Sequence, residues 1–460
     1  MKKFIFSFLF ALVLSGCSLN IPYDNQFSDP DAITTPTTGR ELLASAYSAL
    51  PNPGLDLAVL SDDFLNTYWA SRDPGILNQY NWQPQSFIDL AQSLWPEYYD
   101  VIVRANALIE RIPFIKISTE ADRLQVMSLE AEAYTLKAYC YFNLLRLFAS
   151  DPAEGLDKDG IILKQKVLME DLPRSTVGET IEEIRRLLTR AIELDPSSTS
   201  VAWLNTNAAK TLLSKVELYA GNYEEAASIA SQLIDSAGYD VFTESVYRTL
   251  WNSTTCREQL FIFDSPLMSQ YYYIGIQYDA DMGDYFMLPP AIASSFEPSD
   301  CRTEWTVVPY TSQTLGEVSF IGKYNLLRRD KKQINFVNKL RYSDALFAGA
   351  ESYCRAGNST KAIEMVNNFL RARGASEIDE TLSGDDLLKE ILWQKQKEFL
   401  GEGERFFDMK INRRLLASMF PTRIPGPDDY RWVWPIPKEE YLYNDKVTQN
   451  PGWPRVTFTE

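Results

Sequence analysis

Two stretches far apart in the chain repeat one arrangement, and it constrains the fold more than any other feature. In the first, covering 206–233, a helical pattern runs into Tyr219-Ala220-Gly221-Asn222, and a second pattern follows with Ala226, Ile229 and Leu233 apolar. In the second, covering 340–370, the pattern runs into Arg355-Ala356-Gly357-Asn358, and Ala362, Met365 and Phe369 take the corresponding places. Glycine at a helix end supplies a left-handed cap, and alanine early in the next helix lets two axes approach closely.

Helix, Gly-Asn turn, helix with an early small residue is the tetratricopeptide pattern, whose units must stack to bury their apolar faces. Apolar periodicity elsewhere offers further helices to stack. Residues 41–50 form a short one ended by Pro51-Asn52-Pro53-Gly54, and 94–112 another ended at Pro113. A long pattern covers 121–148, and 175–194 carries Ile181, Ile184, Leu187, Leu188 and Ala191 on one face. One more helix is expected over 387–408, ahead of a Pro-rich tail. Residues 55–93 and 240–335 are different in kind: rich in Tyr, Trp, Asn, Asp, Gly and Pro, with only short β-like runs such as Leu260-Phe261-Ile262-Phe263. Loops of that length are usually functional. The expected fold is therefore mainly α, a tetratricopeptide-like superhelix of about four helix pairs with large irregular insertions and few short strands. It forms one domain over 41–460, with scaffold at 41–50, 94–235 and 340–410 and loop-rich parts at 55–93 and 240–335.

The N-terminus places this domain outside the cytoplasm. Lys2 and Lys3 precede an apolar run from Phe4 to Leu14 broken only by Ser7, and Leu14-Ser15-Gly16-Cys17 closes it. This is a secretory signal over 1–16, with small residues leading into a Cys as bacterial lipoprotein signals have. The run is too short for a spanning helix of about 20 residues. The mature chain is expected to begin at Cys17 carrying several acyl chains, because one alone anchors only marginally. Residues 17–40 then read as lipid anchor and tether.

The whole chain carries −17 at pH 7, and loss of the two leader lysines leaves −19. Such a chain does not attract nucleic acid through its net field, and anionic headgroups repel it, so covalent lipid rather than a basic patch is expected to do the anchoring. There is no histidine, which removes the commonest general base, the usual catalytic triads and nearly all catalytic zinc sites. Carboxylate-pair glycoside hydrolysis survives that test, with Asp62, Asp63 and Glu97 as its candidates. Beyond Cys17, the cysteines Cys140, Cys256, Cys301 and Cys354 show no metal-ligand spacing. Cys140 and Cys354 read as buried thiols in helices. Cys256 and Cys301 could pair in an exported protein, but free thiols are the expectation.

The C-terminal third resembles the SusD/RagB family of outer-membrane nutrient-binding lipoproteins. The resemblance rests on Leu340-Arg341-Tyr342-Ser343-Asp344-Ala345 with Ala350-Glu351 and Gly357, and on the segment from Glu398-Phe399-Leu400-Gly401-Glu402-Gly403 to Glu404-Arg405-Phe406-Phe407-Asp408. Trp434-Pro435-Ile436-Pro437 and Thr448-Gln449-Asn450-Pro451-Gly452-Trp453 are similar to the family's closing signatures, and Trp95, Tyr98, Ile102 and Asn106 to one of its upstream helices. Glu404 stands where the family often has His, and Ser18-Leu19-Asn20-Ile21 lacks the acidic cluster that often follows the lipid Cys in surface-exported relatives. These motifs read as structural. Glu402, Arg405 and Asp408 are spaced for local pairing on a helix, and the Trp434 segment reads as a rigid strap over the core. The resemblance implies a binding protein rather than a catalyst, without cofactor or metal. It also implies a SusC-like TonB-dependent transporter as partner, with capture of oligosaccharides, or in some branches peptides, at the cell exterior.

Sugar binding wants flat aromatic faces beside amide and carboxylate groups. Those groups gather at Tyr68, Trp69, Arg72 and Asp73, and again at Asn81 and Trp82; no periodic run explains either tryptophan. Tyr272 and Tyr285 form a second candidate group, and Trp305, near Arg302 and Glu304, a third. Trp95, Trp203 and Trp393 lie in helical patterns and are expected in the core. A peptide ligand would use the same scaffold through strand-like pairing, and a pure protein-binding scaffold would show no small-ligand affinity.

Overall fold

The computed structural model describes residues 32–194, 200–264, 286–313, 315–323, 336–416 and 418–455; for Trp69 it describes the backbone only. Cys17, Tyr272 and Tyr285 lie outside the described residues.

Helices packed side on side build the scaffold. Pro36–Ser48 lies on Pro84–Arg111, which packs on Glu120–Phe148, and Val177–Leu194 follows against the latter. Thr206–Ala220, Tyr223–Ala237, Tyr342–Arg355 and Ser359–Arg373 continue the row, each against its predecessor. Local sequence explains each start and stop. Thr119 and Asp122 close a reciprocal capping box on the 120–148 helix. Val177–Leu194 buries Val177, Ile181, Ile184, Leu188 and Ala191 on one face. The two Gly-Asn turns are as expected: Gly221 and Gly357 sit at φ +85° and +80°, and Ala226 and Ala362 are fully buried at matching places. Helix approach is closest at Gly349, where a Cβ would stand 2.8 Å from that of Ala230.

Strands are few and short among the described residues. Gln259–Asp264 pairs antiparallel with Phe336–Arg341, Val307–Ser312 with Gly316–Ile321, and Leu65–Asn66 with Phe286–Met287.

Three expectations are corrected. Residues 55–93 are mostly helical: Gly54–Leu60, Tyr68–Arg72 and Pro74–Tyr80 precede a long helix that begins at Pro84 rather than near 94. Pro74 and Pro84 mark first helical turns, where a missing N–H costs nothing. The expected helix over 387–408 is two, Gly384–Phe399 and Glu404–Ile411, broken where Gly401 and Gly403 take φ +74° and +91°. Finally, Glu402, Arg405 and Asp408 do not pair with one another. Glu402 binds Lys323 and Arg341, Arg405 binds Asp62, and Asp408 binds Lys395. Cys140, Cys256, Cys301 and Cys354 are all free thiols.

Two signature segments hold the closing strap. Gln449 exchanges hydrogen bonds with the Ile436 backbone at 2.8 and 2.9 Å. Asn450 donates to the carbonyls of Trp434 and Phe148, and the Trp434 N–H reaches Leu147 O at 3.0 Å. The strap thus seals the C-terminal end of the 120–148 helix, whose last carbonyls have no partner within the helix. Below it lies a buried ionic network. Arg341 bonds Glu258, Glu398 and Glu402; Arg373 bonds Glu258 and Glu398; Arg302 bonds Asp300. Lys323 and Lys397 join the network, the first on Glu402 at 2.7 Å and the second on Asp300 at 3.8 Å, so each buried charge in it faces an opposite one, as burial demands.

A candidate ligand-binding face

The 60–82 segment is built as a platform whose underside is anchored and whose outer side carries Tyr68. Asp62 and Asp63 are fully buried beneath it. Arg405 donates to both carboxylate oxygens of Asp62, at 2.7 and 3.1 Å, and Gln396 reaches both aspartates. Asp63 also accepts the Gly401 N–H at 3.1 Å. Burial, with the Asp62 charge beside it, pushes the Asp63 carboxyl up to about 7. Arg423 ties down the same turn through the carbonyls of Val59, Ser61 and Tyr80, its guanidinium 4.0 Å from the Tyr80 ring centre.

Above that base the chain crosses Leu65–Asn66 and enters the short helix Tyr68–Arg72. Asn66 donates to Ser71 Oγ at 3.0 Å, and Ser71 Oγ donates to Thr67 O, closing the turn. Tyr68 is 61% exposed, and the Arg72 guanidinium lies 5.6 Å from its ring centre. An exposed phenol ring backed by a cation on a fixed helix offers a flat face and polar donors together.

Antiparallel pairing of Asn66 with Phe286 joins the Phe286–Met287 strand to this platform. Leu288 N donates to Ser319 O at 2.8 Å and joins on the 307–321 hairpin. Trp305 stands half-buried at the base of that hairpin, where Gly322 N returns to Thr306 O. The platform, the 286–288 segment and the 307–321 hairpin therefore adjoin one another. The hairpin lies within the loop-rich 240–335 stretch read as functional; β-branched Val307-Val308 followed by Tyr310 is the sequence signal for a strand there.

Other candidates take structural roles. Trp82 is a correction: it is fully buried, its indole N–H donates to Leu60 O at 2.8 Å, and Phe87, Phe406 and Trp432 surround it. It lacks helical periodicity because it is a corner, at φ +55° between two helices. Asp73 caps the 74–80 helix by accepting from Gly75 N and Ile76 N. Asn81 is exposed at the same corner. Arg302 is buried against Asp300. Trp95 is buried as expected, whereas Trp203 and Trp393 are only partly so. Asp62 and Asp63 are hydrogen-bonded beneath the platform, and Glu97 accepts from Ser93 Oγ at 2.7 Å.

A cavity of about 330 Å³ lies elsewhere, among Arg146, Lys215, Arg355, Lys395, Glu404 and Asp408. Its ions answer one another: Lys395 with Asp408 at 2.6 Å, Lys215 with Glu404 at 3.1 Å. A ligand there would have to displace existing pairs.

Comparison with known proteins decides the family. Residues 47–218 match the profile described as "Starch-binding associating with outer membrane", and residues 323–410 match that of the SusD family. The chain belongs to the SusD/RagB family. SusD-like protein P38 of Formosa agariphila is 24% identical, with 98% of this chain and 99% of the relative aligned; SusD-like protein P2 of the same organism is 24% identical over 79% and 81%. A solved SusD superfamily protein from Bacteroides vulgatus superposes with TM-score 0.76 at 21% identity, covering 92% of this chain and all of that one. A laminarin-binding SusD-like protein superposes at 0.71 and 19% identity, over 91% and 100%. The fold of this SusD/RagB member is thus that of its solved relatives. Residues 1–18 match a prokaryotic lipoprotein lipid attachment site, and this SusD/RagB member is lipid-anchored to the outer membrane. No described helix is long and apolar enough to cross a membrane.

Proposed function

We propose that this protein captures an oligosaccharide or polysaccharide at the cell exterior and passes it to a SusC-like TonB-dependent transporter, without itself cleaving it. The observation that carries the reading is Tyr68, an exposed ring with Arg72 behind it on a helix fixed from below by the Asp62–Arg405 pair. Tyr68, Trp69 and Arg72 are the proposed contacts, and Asn81, Trp305, Tyr272 and Tyr285 are further candidates. Two solved relatives of the same fold support the ligand class, one a laminarin-binding SusD-like protein and one a surface glycan-binding protein from Bacteroides uniformis.

The test has two parts. Native affinity gels containing laminarin, starch and other polysaccharides should retard the mature chain for one glycan class, and tryptic peptides should not compete. Affinity purification of the anchored protein from its own membrane should bring down a TonB-dependent transporter. Retardation by no glycan, with binding only to peptides, would replace the ligand class and leave the scaffold role standing.

A further inference from the structure

We propose that the pole where the tether enters carries a second membrane contact, in which Phe114, Ile117, Leu168 and Met169 seat in the lipid surface that Cys17 anchors. The inference rests on lipid attachment at Cys17 and is independent of ligand class.

The tether is pinned at this pole. Ile33 is fully buried, Lys116 N donates to Thr34 O at 2.9 Å, and a Cβ on Gly39 would touch Ile115 and Leu129. Fourteen residues lie between Cys17 and Ala32, and the extended segment spans at most about 50 Å. The bilayer therefore lies within reach of the 112–118 turn.

That turn is apolar where it should not be if water were its only neighbour. Phe114 is 60% exposed and Met169 fully so, with Ile117, Leu124 and Leu168 also exposed. These are five of the nine large exposed hydrophobic side chains among the described residues. Two bonds hold the 164–169 loop to the same helix end: Asn106 Nδ2 to Lys164 O at 3.0 Å, and Val167 N to Glu110 Oε1 at 3.1 Å. An apolar tip flanked by cations suits the headgroup boundary. Here the Arg111 guanidinium lies 4.5 Å from the Phe114 ring centre and Lys116 is exposed. Over 110–124 and 164–171, Arg111, Lys116, Arg123, Lys164 and Lys166 match Glu110, Glu120, Asp122, Glu170 and Asp171 in number. This pole is therefore near neutral although the whole chain carries −17.

Position gives the contact a use. The helix Pro84–Arg111 has 28 residues, about 40 Å of rise. One end carries this apolar pole, and the other adjoins the Trp82 corner and the Tyr68 platform. Seating the pole in lipid sets the distance at which the candidate ligand face is held from the membrane and from the transporter that receives the ligand.

Hydrogen–deuterium exchange tests this on the acylated mature protein in vesicles of phosphatidylethanolamine with a minor share of phosphatidylglycerol. Relative to the Cys17→Ser chain free in solution, exchange should slow several-fold at 112–124 and 165–170 and stay unchanged at 62–82. The double variant Phe114→Asp with Ile117→Asp, its melting curve unchanged, should lose the slowing at 112–124 while remaining anchored. Equal exchange at this pole in the two forms overturns the proposal. So does slowing that survives the double variant, or that appears only when a transporter shares the vesicle, which would make the contact a protein interface.

Discussion

Arg405 donates from Nε to Asp62 Oδ1 at 2.7 Å, and this buried bond fastens the family's C-terminal signature to the underside of the Tyr68 platform. Removing one partner of a buried pair leaves the other uncompensated, which costs about 3–5 kcal/mol. Arg405→Ala should therefore lower the unfolding free energy by that much, read as a lower denaturant midpoint. It should also speed amide exchange at 62–72 before the rest of the chain. An unchanged midpoint would contradict the role given to the pair.

Two aromatic residues fourteen positions apart should respond oppositely. Trp82→Ala removes a fully buried ring from a packed cluster and should cost about 3–5 kcal/mol. Tyr68→Ala removes an exposed ring and should shift stability by no more than about 0.5 kcal/mol. Thermal unfolding of both variants checks the contrast, and comparable losses would mean Tyr68 supports the fold.

Gly403 adopts φ +91°, and a Cβ there would stand 2.8 Å from Gly54 O. Gly403→Ala should cost about 1–3 kcal/mol through backbone strain and the clash. Gly426, which has open space and no left-handed backbone, is the matched control. Chemical denaturation of the two alanine variants decides it, since equal midpoints would remove the argument.

Acid should unfold the protein through its buried carboxylates. Burial alone would raise Glu398 and Glu404, but surrounding cations outweigh it and hold both at about 2, against an ordinary value of 4.5. Arg373 and Arg341 act on Glu398; Lys215 and Arg146 act on Glu404. A folded-state value below the unfolded one contributes stability that is complete above about pH 4.5 and is lost as pH falls towards about 2. The melting temperature should fall steeply across that window, and Glu404→Gln should flatten the fall. A slope identical in the variant would show that Glu404 does not titrate as described.

Much of this scaffold is written in local sequence. Both Gly-Asn turns and the 120–148 helix follow from caps and periodicity, each settled by residues near in the chain. What escaped was of two kinds. Pro74 and Pro84 look like loop markers, yet each opens a helix, because proline at a first turn and proline in a loop read alike. Glu402, Arg405 and Asp408 have the spacing of a local ion-pair ladder, but Gly401 and Gly403 break the helix and send each to a distant partner. Of the candidate site, Tyr68 and Arg72 stood out as composition suggested, while Trp82 turned inward. No neighbour in sequence distinguishes an aromatic corner at positive φ from a ligand-stacking ring.

The most direct measurement is calorimetric titration of the mature chain, without its lipid, against the polysaccharide that retards it in affinity gels. Tyr68→Ala combined with Trp69→Ala should weaken binding at least tenfold, about 1.4 kcal/mol, with melting unchanged. Wild-type affinity in that variant would contradict the account and place the ligand elsewhere on the molecule.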